Sequence, residues 1–155
     1  MSSKRRSVAI AALALTPMLL AGCEKPDPGV TAWSGTTSVR ADAVCWQPQG
    51  NAALGTGDCA QDILNAASQG EGLQTLDVRP GDTVGISVDP VIADSGWSVQ
   101  VGTQTLVSNL TETYFRFTFP ELGVDLTGPG LVMQVIANAR PSGTRGHWFV
   151  HLQPS

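Results

Sequence analysis

The sequence predicts an all-β fold: an immunoglobulin-like or cupredoxin-like antiparallel β-sandwich with one short helix and one disulfide. Three observations lead there. Apolar residues recur at every second position in successive runs: Val84, Ile86 and Val88, then Trp97, Val99 and Val101, and most clearly Phe115, Phe117 and Phe119. Turn signals such as Arg79-Pro80-Gly81-Asp82 and the loop from Arg140 to Gly146 punctuate these runs at short intervals. The resulting strands, about seven or eight of them with no internal repeat, suit two stacked antiparallel sheets.

The N-terminus has a layout of its own. Lys4, Arg5 and Arg6 form a positive region, and Val8 to Leu20 form an apolar run. That run is too short to span a bilayer comfortably, and Pro17 interrupts it. It ends in Leu20-Ala21-Gly22-Cys23, which resembles the lipobox of bacterial lipoproteins. The resemblance implies that residues 1–22 are removed as a signal peptide and that the Cys23 thiol carries a diacylglyceryl group. The domain is then lipid-anchored on the outer face of the cytoplasmic membrane, where more than one acyl chain gives firm attachment. Arg5-Arg6 also resembles a twin-arginine signal, so general secretion and the twin-arginine route both stay open.

Removing the signal changes the charge. It takes three of the nine basic residues and none of the thirteen acidic ones, so the net charge moves from −4 to −7. This acidic balance argues against nucleic acid and anionic lipid headgroups, which both demand basic patches, and reads as solubility or as a surface for a cationic ligand or a metal. The remaining 133 residues make one domain. With Cys23 committed to lipid, Cys45 and Cys59 form an even pair in an oxidising compartment, without CxxC spacing or a neighbouring histidine. Closing the thirteen-residue loop between them stabilises the chain by ~3 kcal/mol in the chain-entropy account.

Residues 23–29 read as the lipidated cysteine and a Pro-rich tether, and residues 30–155 as the sandwich domain. Val30 to Val39, containing Trp33, reads as the first strand. Gln47 to Asn51 and Gly55 to Asp58 form a turn-rich loop that the disulfide fastens. Asp62 to Ser68 suits two turns of helix with Ile63, Leu64 and Ala67 facing inward, ended by Gly70 and capped by Asp58 or Asp62. Strands follow at Leu73 to Val78, Thr83 to Val88, Trp97 to Val101, Thr103 to Val107, Phe115 to Phe119, Leu131 to Ala137 and Trp148 to Leu152.

Candidate chemistry is sparse. His147 and His151, the two histidines, lie ~13 Å apart along one side of a strand, too far to share a metal ion. One of them is expected to pack against Trp148 or Phe149. A blue-copper site needs a reduced cysteine beside two histidines, which this chain does not offer. No G-x-S-x-G elbow or S-x-x-K motif occurs. The carboxylate pairs Asp89/Asp94 and Asp58/Asp62 lack apolar neighbours that would raise one pKa, and read as turn and cap residues. No catalytic residue, metal ligand or cofactor is predicted, and Asn109-Leu110-Thr111 matches a glycosylation sequon of little meaning in a bacterial lipoprotein.

The run from Val78 to Trp97 is the most distinctive internal feature. Val78, Pro80-Gly81-Asp82, Val84, Ile86, Val88-Asp89-Pro90, Ile92-Ala93-Asp94 and Gly96-Trp97 resemble an actinobacterial lipoprotein family known as a domain of unknown function. That resemblance implies an envelope location and a β-rich domain, and no known reaction. Gly81-Asp82, Asp89-Pro90, Gly96-Trp97 and Ala139-Arg140-Pro141 also resemble, more loosely, the loops of chagasin-like cysteine-peptidase inhibitors. Their N-P-T-T-G signature is replaced here by Asp89-Pro-Val-Ile-Ala-Asp-Ser, and Ser142 stands where that family has tryptophan. Asp89, Asp94 and Trp97 together form the candidate ligand loop. Trp97 has two readings, stacking on a ligand at a loop end or filling the core beside Val99 and Val101. The sequence thus predicts a non-enzymatic binding or interaction module with an envelope protein or small ligand as partner, and an inhibitor of extracellular cysteine peptidases as the alternative.

Overall fold

The computed structural model describes residues 25–119 and 130–155. Cys23 and the signal peptide lie outside the described residues. The expected fold class is found: two β-sheets packed face to face, with two short helices and a Cys45–Cys59 disulfide whose Cα atoms are 5.6 Å apart.

One sheet has four strands in the order β2-β1-β5-β8, all antiparallel: β1 (Val30–Ser34), β2 (Thr37–Ala41), β5 (Thr83–Val88) and β8 (Tyr114–Thr118). The segment expected to be a single first strand is therefore a hairpin, turned at Gly35-Thr36. The inward positions fall at Val30, Ala32 and Ser34 before the turn and at Val39 and Ala41 after it, so the alternation changes phase there.

The second sheet runs β3 (Cys45–Trp46), β10 (Thr144–Pro154), β9 (Leu131–Asn138), β6 (Trp97–Val101) and β7 (Gln104–Leu110). The strand β4 (Thr75–Val78) adds to β10 in parallel, from His151↔Thr75 to Pro154↔Val78. This departs from the all-antiparallel expectation. The eleven-residue β10 is long enough to take β3 and β4 in succession along one edge while β9 pairs along the other.

The inward-facing residues of both sheets make one core. Trp97, Trp148, Leu76, Ile86, Ile92, Met133 and Leu152 are fully buried in it, with Phe117 and Phe119 close to that. Helix α1 (Gln61–Ser68) matches the expected helix within one residue, but its details differ. Ala67 is buried and Leu64 half-buried, whereas Ile63 is 50% exposed. Neither aspartate caps it: Ala60 is the N-cap residue, and the Asp58 carboxylate instead accepts the Gly55 N–H at 2.6 Å, closing a turn.

A second helix, α2 (Pro90–Ser95), occupies the stretch expected to be a loop. Asp89 sits in the extended N-cap conformation and Pro90 opens the first turn, where its missing N–H costs nothing. Gly96 ends the helix at φ +78°, a conformation that other residues adopt at a cost. Ile92 and Ala93 turn into the core, so α2 plugs the end of the sandwich between β5 and β6.

Candidate functional site

A cleft of about 530 Å³ opens beside α2. Residues 25–28 form one wall, Trp46 and Pro48 a second, and α2 with Asp89 and Asp94 a third. Arg40 and Arg145 complete it.

The N-terminal wall is held by two contacts that chain order alone does not suggest. The indole N–H of Trp148, deep in the core, donates to the Pro28 carbonyl at 2.8 Å. Gly29 and Asp89 exchange bonds: the Gly29 N–H donates to Asp89 Oδ2 at 2.8 Å, and the Asp89 N–H to the Gly29 carbonyl at 3.2 Å. Pro28 and Gly29 are consequently buried. The last two residues of the expected tether belong to the folded domain.

Asp89 also accepts from Arg40 Nη2 at 3.1 Å, the salt bridge found among the described residues. Both side chains are substantially exposed, so the pair fixes geometry more than it stabilises. Arg40 itself lies across Gly29, where a Cβ would collide with its guanidinium.

Arg145 is the unusual member of the site. It is 3% exposed, and its guanidinium carbon lies 4.1 Å over the Trp46 ring, a cation–π contact. Nε donates to the Gln47 carbonyl at 3.0 Å, and Nη1 to Ser95 Oγ at 2.6 Å and Asn51 Oδ1 at 3.3 Å. Ser95 Oγ in turn donates to the Val91 carbonyl at 3.0 Å. These bonds tie β10, the 47–51 loop and α2 into one unit. All the acceptors are neutral. Burial pulls the Arg145 pKa below the usual guanidinium value, and no carboxylate among the described residues lies within salt-bridge distance to offset this. Nη2 has no protein partner among the described residues.

Asp89 and Asp94 of the expected ligand loop both reach this cleft, from the two ends of α2. Trp97 does not. It is fully buried, and its N–H donates to the Glu112 carbonyl at 2.7 Å, so of its two readings the structure selects the core. Arg145, Arg40 and Trp46 were not among the residues the sequence singled out. No local pattern marks them, because three separated segments bring them together.

Among the described residues, no group of three or more His, Cys, Asp or Glu side chains stands close enough to hold a metal ion. His147 and His151 both lie on β10. His147 is bonded through Nδ1 to Gln134 Nε2 at 2.9 Å and stacks on Phe149, with ring centroids 6.2 Å apart. Burial lowers its pKa from the usual histidine value. Of the chagasin-like positions, Arg140 reaches α2 through a bond from Nη2 to the Asp94 carbonyl at 3.1 Å. Gly81-Asp82 lies at the opposite end of β5. No described helix is long and apolar enough to cross a membrane.

No protein-family model matches this chain, and no curated protein matches it. Among solved structures, it is similar to a lytic polysaccharide monooxygenase from Jonesia denitrificans. The two are 12% identical with a TM-score of 0.39, over 74% of this chain and 79% of that one.

Proposed function

We propose that this chain is a lipid-anchored, non-enzymatic binding module of the cell envelope that takes a small acidic ligand in the cleft beside α2. The observation that carries the reading is Arg145. It is a buried cation bonded only to neutral acceptors, with one guanidinium nitrogen unused, on the wall of a preformed cleft. Burying a charge without a counter-charge is costly, and an incoming carboxylate or phosphate offsets that cost through a charge-assisted hydrogen bond. Trp46 and the prolines of the walls supply apolar surface for the rest of the ligand. Acidity of the chain as a whole keeps polyanions away while leaving this one recessed cation for a small anion.

The lipobox resemblance and the buried Pro28 together support a position close to the bilayer. Four residues separate Cys23 from Pro28, and the fully extended chain covers at most ~3.6 Å per residue. A lipid on Cys23 therefore keeps the cleft within about 18 Å of the membrane surface.

Two experiments test the reading. Cys23→Ala should move the protein out of the membrane fraction and leave the signal uncut, and unchanged anchoring and processing would overturn the location. For the cleft, the purified full chain is titrated with N-acetylated amino acids and with their uncharged amides while the Trp46 indole N–H resonance is followed. The carboxylates should shift it and the amides should not; no shift with either, or equal shifts with both, defeats the ligand assignment.

A further inference from the structure

The outward face of the four-stranded sheet carries two aromatic side chains that the core does not use. Register sets two cross-strand rows there. One row is Arg40, Thr31, Ser87 and Tyr114; the next is Ser38, Trp33, Gly85 and Arg116. Gly85 is what lets the second row be flat. A Cβ at that position would fall within the Trp33 indole, so the ring rests directly on the β5 backbone. Tyr114, diagonal to it, has its ring plane within 10° of the indole, with centroids 6.4 Å apart. Tyr114 is 42% exposed, and apart from Ile63 it is the exposed large apolar side chain among the described residues.

The two polar handles are also unused. Trp97 and Trp148 both donate their indole N–H to a backbone carbonyl. Neither the Trp33 N–H nor the Tyr114 hydroxyl has a hydrogen-bond partner among the described residues. The positions beside them in the two rows are Ser38, Thr31, Ser87 and Arg116, all with polar side chains, while the Arg40 guanidinium is turned to Asp89. The result is a pair of near-parallel aromatic rings on the outward face, the Trp33 ring half-buried and the Tyr114 ring exposed, among polar side chains.

We propose that this face binds a polysaccharide, with hexopyranose rings lying on Trp33 and Tyr114. A pyranose offers a flat face of slightly positive C–H groups encircled by hydroxyls, which complements the negative face of an aromatic ring and a polar rim. Nucleic-acid bases stack on aromatic rings too, but their phosphates require a basic groove that a mature chain of charge −7 does not provide. An apolar peptide calls for a groove or an open strand edge, and these rings sit on the flat of the sheet. The site is separate from the α2 cleft. Its glycan source, the polymer of the cell envelope, rests on the reading of Cys23.

The test is co-sedimentation of the full chain, purified in detergent, with two insoluble probes, peptidoglycan sacculi and chitin. The unaltered protein should pellet with at least one of them. Trp33→Ala and Tyr114→Ala should each weaken retention about tenfold. Gly85→Ala keeps both aromatics but lifts the indole from the sheet, and should weaken retention comparably. Ile63→Ala removes the other exposed apolar side chain, on α1, and should leave retention unchanged. Thermal unfolding of each variant establishes that it is folded. No retention of the unaltered protein on either probe, or equal retention of the Trp33 and Tyr114 variants, overturns the proposal. So does an equal loss with Ile63→Ala, which would mean general adhesion. Self-association abolished by Trp33→Ala, without glycan retention, would identify the occupant as a second copy and also overturn it.

Discussion

Trp97 and Trp33 sit on strands with the same alternating pattern, yet they end in opposite circumstances. Trp97 points between the sheets, is fully buried, and has given its N–H to the Glu112 carbonyl. Trp33 points outward, lies flat over Gly85, and keeps its N–H free of any described partner. A tryptophan's role in this fold follows from what its N–H has found and which side of the sheet it occupies. Period 2 supplies neither. Trp148 repeats the Trp97 case and adds a consequence, since its acceptor is the Pro28 carbonyl at the start of the domain.

The largest effect expected from this contrast is at Trp97. Trp97→Ala removes a large, fully buried side chain and leaves the Glu112 carbonyl without its donor, so it should cost ~3–5 kcal/mol of unfolding free energy. Denaturant unfolding followed by circular dichroism measures this. A loss below about 0.5 kcal/mol, within the range of surface substitutions, would mean that Trp97 is not the core residue its burial indicates.

Trp148→Phe comes next. The ring volume is largely kept, but the Pro28 carbonyl loses its donor in a buried setting, at a cost of ~1–3 kcal/mol. The effect should be local as well as global. Residues 25–29 should become sensitive to limited proteolysis. Protection equal to that of the unaltered chain would show that the Gly29–Asp89 exchange alone holds this segment.

Trp33→Ala should be much milder, ~1 kcal/mol or less beyond the loss of its ring pairing with Tyr114. A loss as large as that at Trp97 would erase the distinction between the two faces and make Trp33 a structural residue. The pair of measurements is therefore more informative than either alone.

How much of this was legible beforehand depends on how far apart the cooperating residues lie. Phe117 and Phe119 were readable as core because the alternation that buries them is local. Helix α2 was also legible in principle: Asp89 at the cap, Pro90 in the first turn and Gly96 at the end are start and stop signals, but six residues are too few to show a helical period. The hairpin β1–β2 was hidden because β2 is mostly exposed and polar, with Val39 and Ala41 alone marking the change of phase at the turn. Arg145 and the Trp33–Gly85–Tyr114 surface had no local signature. The first depends on β10, α2 and the 47–51 loop meeting, and the second on a register across three strands.

The outward face of the other sheet offers the subtlest test, through His147. Its Nδ1 accepts a bond from Gln134 Nε2, and its ring stacks on Phe149 in a partly buried setting that favours the neutral form. The folded-state pKa is therefore below that of the unfolded chain, so at mildly acid pH the unfolded chain binds the extra proton. His147 thus contributes stability that is fully present above the unfolded histidine value of about 6.5 and falls as the pH drops below it. The urea midpoint of the unaltered chain should decline between about pH 7 and pH 5, and His147→Gln should flatten part of that decline. Identical pH profiles for the two proteins would mean that the His147 ring titrates alike folded and unfolded.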